Sequence, residues 1–432
     1  MTSADAAPNL ERAAVLTGEF GVDALVACSP VNLRWLTGFG NWLGPTFREY
    51  MGRPGGSDDL SQRTFALLPR GGEPVLVVEP SFVADATDAA VAAVRVAGQA
   101  TFASAHGDSS ARAVGDGDPA RTLLLAGDWP GDPVAALTLL IEEYGLARSR
   151  LGIEAGSLLP CERERLSSAL PGATLLGCDL LFRLIRAVKT EAEIELLARA
   201  TEIGEGAAMR AAESADERTT PAQLVDSFRA LAAEDGADLD HVALSLDGLG
   251  FVTGGDRALG GGTSMFYDYG CVYRGWISDA GTTLCVSEPG SIALAEHAAM
   301  RGAVAAGAEA LRPGVRGSSV QRTMRECLAA AGIVESFPHG HGVGLEVREY
   351  PILVSADGRT AKDDCVELSA DLPLERNMVL NLEASLLVLG ERSVHCEQTF
   401  VVTSDGCRPL AEQHRDAPLV AGVRREQQVR VA

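Results

Sequence analysis

Residues 264–286 read SMFYDYGCVYRGWISDAGTTLCV, and the fold turns on this stretch. Aromatic and β-branched residues on either side of Tyr273-Arg274-Gly275 predict a β-hairpin with a polar turn. Asp268 and Asp279 stand eleven residues apart. With the turn centred between 273 and 274, they are expected opposite each other, with Cβ atoms about 4.5–5.5 Å apart. Two like charges at that distance repel unless something positive lies between them. A metal ion is the direct solution.

A second hairpin repeats the arrangement. NMVLNLEASLLVL, residues 377–389, is one strand, GER the turn, and SVHCEQTFVVT, residues 393–403, the return. Glu383 and Glu397 mirror each other about a turn centred at Gly390. Both interrupt strongly apolar strands, where a glutamate buried without a partner costs several kcal/mol. One such acid is most simply a solvent-facing residue on a half-exposed strand. Four acids in two mirrored pairs point instead to metal. Carboxylates with a histidine suit Mn, Co, Fe or Zn rather than a structural thiolate site. Two bridging carboxylates would hold two ions about 3.5–4 Å apart.

The histidine is sought in FPHGHGVGLEVREYP, residues 337–351, where His339 and His341 lie two apart among glycines. If the segment is extended, both side chains point the same way. His395 precedes Glu397 by two residues and should share its face. A metal-shell contact and a satisfied cross-strand histidine are both open for it. Cys396 alternates away from Glu397 and is expected in the core.

The rest of the chain frames these elements. It has 432 residues, 46% hydrophobic and 22% charged, enough for two or three domains. The net charge is -22 and no Lys/Arg stripe is present, which argues against a nucleic-acid partner. Nine scattered cysteines without a CxxC pair fit reduced thiols. No apolar run is long enough to span a bilayer, and the N-terminus carries no signal-like core, so a cytoplasmic protein without a membrane partner is expected.

Residues 1–183 alternate short apolar strands with helices, an α/β domain. Two polar, Gly-rich segments within it, 50–63 and 105–118, read as surface loops. A second domain, 184–432, begins at a long helix after Lys189, with Thr190 and Glu193 as a capping box and Ile194, Leu197 and Ala198 starting its apolar stripe. From there the order αα-ββ-αα-ββ suggests an internal duplication. Residues 254–263, GGDRALGGGT, do not follow a strand and open a helix as a phosphate loop should, so they read as a loop at the mouth of the site.

DYGCVYRGWISDAGT, HGHGVGLEVREYP, MVLNLEAS and HCEQTFVVT, in that order, resemble the pita-bread metallopeptidase family of methionine and Xaa-Pro aminopeptidases, prolidases and metal-free creatinases. LERAAVLTGEFGVDALVACSPVNLRWLTGF and LIRAVKTEAEIELLARA are similar to the creatinase and prolidase branch. The resemblance implies an α+β chain: a small α/β N-terminal domain, then a pseudo-twofold pita-bread domain. It implies Asp268, Asp279, His341, Glu383 and Glu397 as ligands of two divalent ions, and a homodimer acting on a short peptide or other small molecule. It implies attack of a metal-activated water on a polarised carbonyl, with Glu383 also serving as general base. Trp35 and Trp42 are candidates for the partner subunit's pocket, core packing being the default for Trp35.

Two departures stand out. The family's substrate-contacting histidine, about seventeen residues before the first Asp, has Phe251 near its place, and His241 is too far upstream to match. A second family histidine, seven residues after the metal histidine, is Arg348 here. Arg348 could anchor a substrate carboxylate, stabilise an oxyanion, or pair with Glu346. His339 could support the metal site, replace a lost histidine, or be a polar loop residue. The expected activity is a metal-dependent hydrolase of a small peptide or amide. The alternative is a lyase or other C–N or C–C bond-cleaving metalloenzyme acting on a small carboxylate-bearing substrate.

Overall fold

The computed structural model describes residues 7–40, 63–98, 117–262, 264–336, 338–356, 358–411 and 416–424. Trp42 and most of the two Gly-rich segments at 50–63 and 105–118 lie outside these residues. By contacts the chain forms two units: Met1–Ile185 with Ala361–Leu368, and Arg186–Thr360 with Ser369–Ala432.

The first unit is built on six strands: β1 (Ala24–Ala27), β2 (Phe65–Pro69), β3 (Val75–Val78), β4 (Ala93–Val96), β5 (Arg150–Ile153) and β6 (Thr174–Gly177). They are ordered β4-β3-β2-β1-β5-β6. Short runs such as VLVV, buried at every position, form strands because both faces are covered. Helix Pro133–Glu143 starts where Asp132 caps the amides of Val134 and Ala135 and proline occupies the first turn. Trp35, on helix Pro30–Thr37, is 3% exposed within this unit. Its indole is core packing, which removes it as a candidate for a partner's pocket.

The second unit carries two helix pairs, each followed by strands. Helices Glu191–Glu213 and Pro221–Glu234 precede β7 (Asp238–Ser245), β8 (Ser264–Tyr273), β9 (Trp276–Ile277) and β10 (Ala280–Cys285). Helices Ser291–Ala310 and Gly317–Ala330 precede β11 (His339–Gly342) and β12 (Glu349–Ile352); after the small pair β13 (Thr360–Lys362) and β14 (Glu367–Ser369), most of which belongs to the first unit, come β15 (Val379–Val388) and β16 (Arg392–Val402). β17 (Cys407–Pro409) and β18 (Leu419–Val420) are the last strands among the described residues. The large sheet runs β12-β11-β15-β16-β10-β8-β7, so two outer-strand-plus-hairpin halves meet at β16 and β10. This is the duplicated αα-ββ arrangement.

Helix Glu191–Glu213 begins at the expected capping box: Glu193 Oε2 accepts from the Thr190 amide at 2.7 Å, and Thr190 Oγ1 from the Glu193 amide at 3.3 Å. It buries Ile194, Leu197 and Thr201, while Ala198 is half-buried. One face of the sheet is closed by the helices. Phe228 and Ala211 pack with Tyr267 and Tyr269 in one half, and Met300 and Met324 with Leu382, Ala384 and Cys396 in the other. Because strand side chains alternate, Asp268, Glu383 and Glu397 are driven to the opposite face.

The first hairpin departs from the expected register. Tyr273 pairs with Trp276, leaving Arg274 and Gly275 as a two-residue turn with φ of 53° and 89°. That is the turn matched to hairpin twist. Asp268 therefore stands opposite Gly281, not Asp279. Asp279 lies just before β10, diagonal to Asp268 on the same face.

Candidate metal centre

One line of register crosses the sheet. His339 on β11 pairs with Glu383 on β15, Glu383 with Glu397 on β16, Glu397 with Gly281 on β10, and Gly281 with Asp268 on β8. A neighbouring line holds His341 opposite Asn381 and Asn381 opposite Thr399. Asn381 Nδ2 and Thr399 Oγ1 donate to the Asp279 carbonyl at 3.1 and 2.8 Å, and at the far end His241 on β7 faces Gly270. Gly281 is a glycine for a reason: a Cβ there would meet His395 Nε2 at 2.3 Å and Glu397 Oε2 at 2.8 Å.

The side chains converge. His341 Nε2 is 3.5 Å from Asp279 Oδ2 and 3.7 Å from Glu383 Oε1. Its Nδ1 faces the Gly342 carbonyl at 3.1 Å, an arrangement that protonates Nδ1 and turns the Nε2 lone pair inward. Glu397 Oε1 accepts from Asn381 Nδ2 at 2.6 Å, and Glu397 Oε2 lies 3.0 Å from His395 Nε2. His395 stacks on Phe266 with ring centroids 3.9 Å apart, and Phe266 meets the exposed Phe251 at 4.8 Å. Cys396, on the other face, is 6% exposed in the core.

The electrostatics ask for a cation. Burial, reinforced by Asp279, Asp268 and Glu383, holds the Glu397 carboxyl well above the usual carboxylate range. Burial also raises Asp279, with the Asp268 charge adding to it against His241. Glu383 differs. Burial opposes its ionisation, but hydrogen bonds from His339 and His341 outweigh it and hold the carboxyl below the usual range. Buried carboxylates crowded on one face, with imidazole nitrogens between them, form a donor set that fits divalent metal. Three overlapping groups have ligand atoms within 4.8 Å of one another: His241, Asp268 and Asp279; Asp279, His341 and Glu397; Glu383, His395 and Glu397.

His339 is placed at the centre, not in a peripheral loop. Its Nε2 lies 2.5 Å from Glu383 Oε1 and 3.2 Å from Arg348 Nη2. Arg348 also reaches Glu383 Oε1 at 3.8 Å with its side chain 59% exposed. It does not pair with Glu346, which Arg186 engages. Behind this loop Lys189 and Arg186 clasp Glu349 at 2.7 and 3.3 Å, and Glu349 Oε1 accepts from the amides of Leu345 and Glu346.

Sequence reading left out His241. Its Nε2 lies 3.1 Å from Asp268 Oδ1 and 3.3 Å from Asp279 Oδ1, and Asp240 holds its Nδ1 at 2.7 Å. Counting back from Asp268 along the chain could not find it, because the irregular stretch 246–262 follows β7 and hides the register with β8. The available signal was Gly270, a bare position across the sheet from a strand histidine.

Residues 195–404 match the Metallopeptidase family M24, and residues 10–188 the Creatinase/Prolidase N-terminal domain. The probable dipeptidase PepE of Mycobacterium tuberculosis is 31% identical over 278 residues, 61% of this chain and 70% of that protein. Among solved structures, the X-Pro aminopeptidase of Thermotoga maritima superposes with a TM-score of 0.69 at 19% identity, over 95% of this chain and 99% of that one. The dipeptidase PepE of Mycobacterium ulcerans gives 0.68 at 24% identity, over 96% and 97%. The prolidase of Pyrococcus furiosus gives 0.66 at 20% identity, over 93% and 100%. At these identities the structural matches speak to the fold alone.

Proposed function

The chain belongs to metallopeptidase family M24, and from that premise we propose that it hydrolyses short peptides at the carboxylate row of its large sheet. The observation that carries this is the unbroken register Glu383–Glu397–Gly281–Asp268 with His341 beside it. Asp268, Asp279, His341, Glu383 and Glu397 would hold two divalent ions of the Mn, Co, Fe or Zn class. Divalent metal bound there lowers the pKa of water towards neutrality and polarises a carbonyl.

The chain's own residues handle the rest. Glu383, kept ionised by His339 and His341, takes the proton of the attacking water at Oε1 and passes it to the leaving amine. Arg348, exposed and 3.2 Å from His339, offers a fork of donors to a substrate carboxylate. Phe251 and Phe266 set an apolar wall beside the row.

One observation favours the second reading, a non-peptidase metalloenzyme. Beside Glu383 stands a guanidinium, which cannot give up a proton at working pH. Metal-stripped protein, reloaded with Mn or Co and offered a dipeptide panel, decides. Metal-dependent cleavage that Asp279→Ala abolishes supports the peptidase. Metal uptake with no cleavage of any peptide, but turnover of a non-amide carboxylate substrate, supports the second reading.

A further inference from the structure

We propose that His241 is an additional nitrogen ligand to the metal held by Asp268 and Asp279, giving that position an imidazole beyond the five residues assigned above. His241 Nε2 is 3.1 Å from Asp268 Oδ1 and 3.3 Å from Asp279 Oδ1. Atoms bound to one ion through bonds of about 2.1 Å sit about 3.0–3.4 Å apart, so the three are spaced as one coordination shell.

Three independent features build this placement. Asp240 Oδ2 holds His241 Nδ1 at 2.7 Å, the carboxylate–histidine arrangement that sets a ligand's tautomer and orients its ring. The Asp240 carboxylate accepts a hydrogen bond from Nδ1–H, which keeps the proton on Nδ1 and turns the Nε2 lone pair onto the aspartates. Gly270 clears the ring: a Cβ there would meet His241 Cε1 at 2.4 Å and Nδ1 at 2.8 Å. The β7–β8 register shifts between Leu239 and His241, an irregularity of the kind that re-aims a side chain. Each half of the sheet thus sends a histidine inward from the strand flanking its carboxylate hairpin, His341 from β11 and His241 from β7.

Imidazole at the aspartate pair favours borderline cations over hard ones, so His241 should bias this position towards Co, Zn or Fe relative to Mn. Resting on the metal-centre reading, this is tested by metal binding rather than turnover. Metal-stripped wild type, His241→Ala, Asp240→Asn and Asp279→Ala are titrated with Co2+ and with Mn2+, and imidazoles around bound Co are counted by X-ray absorption.

Wild type should show two imidazoles over the bound Co and His241→Ala one. Co affinity should fall about tenfold to a hundredfold in His241→Ala, with a smaller loss for Mn. Asp240→Asn should weaken Co binding by about tenfold or more, and it carries the test if circular dichroism shows His241→Ala unfolded. Unchanged imidazole count and affinity in His241→Ala, or unchanged affinity in Asp240→Asn should that variant carry the test, overturns the assignment of His241. If Asp279→Ala then still loses metal, the metal-centre reading survives. A wild type that binds neither cation overturns both.

Discussion

Glu383 on β15 and Glu397 on β16 are direct register partners, yet they differ in their ease of ionisation. His339 and His341 hold Glu383 below the ordinary carboxylate range, while burial and three neighbouring carboxylates push Glu397 up. On the proposed reading the pair divides its work: Glu383 moves protons, and a bound cation would offset the cost of charging Glu397. Glu383→Gln at saturating metal should lower kcat on a cleaved dipeptide by roughly 10²–10⁴, measured by steady-state kinetics. A loss below tenfold would remove Glu383 as the base.

Arg348 lies beyond His339, its guanidinium open to solvent. A charge-assisted hydrogen bond is worth about 1.5–3 kcal/mol, so Arg348→Met should cost roughly 10- to 150-fold in kcat/KM. The cost should appear for peptides with a free C-terminal carboxylate and vanish for their amides. Equal losses on both would show that Arg348 serves only to orient His339.

Lys189 and Glu349 form a buried ion pair, each side chain 1% exposed. Removing one partner strands a charge in low dielectric. Lys189→Met should destabilise the protein by about 3 kcal/mol in urea unfolding, because Arg186 at 3.3 Å compensates Glu349 only in part. A change under about 0.5 kcal/mol would mean that Arg186 alone neutralises the carboxylate.

Burial raises Glu193 to about 7 against the hydrogen bonds of its capping box. A carboxyl whose folded pKa is raised contributes stability below its unfolded pKa, about 4.3, and loses it as pH rises through the folded value. Stability should therefore fall between pH 4.5 and 8 by up to ~3 kcal/mol from this group. Glu193→Gln keeps the acceptor for the Thr190 amide without the charge, and should flatten that slope in thermal melts across pH. Parallel pH profiles for variant and wild type would show that Glu193 ionises normally.

Much of the site was legible because β-hairpins are local. Glu383 and Glu397 are joined by a short turn at Gly390, so their mirror relation is set by a few adjacent residues. Asp268 and Asp279 were legible as a pair but not in register. The positive φ of Arg274 moved the turn by one residue, and with it every cross-strand partner. Cys396 facing away from Glu397 followed from strand alternation alone.

The chain's local patterns determined the capping box at Thr190, the two carboxylate hairpins, the paired helices and which strand face is apolar. These depend on periodicity and turn chemistry within a few residues. Tertiary structure alone decided that β10 lies against β16, that His339 and Arg348 reach Glu383, and that His241 reaches both aspartates. Those contacts join strands separated by helices or long irregular segments. Their register is set by packing of the whole sheet against its helices, which no local pattern encodes.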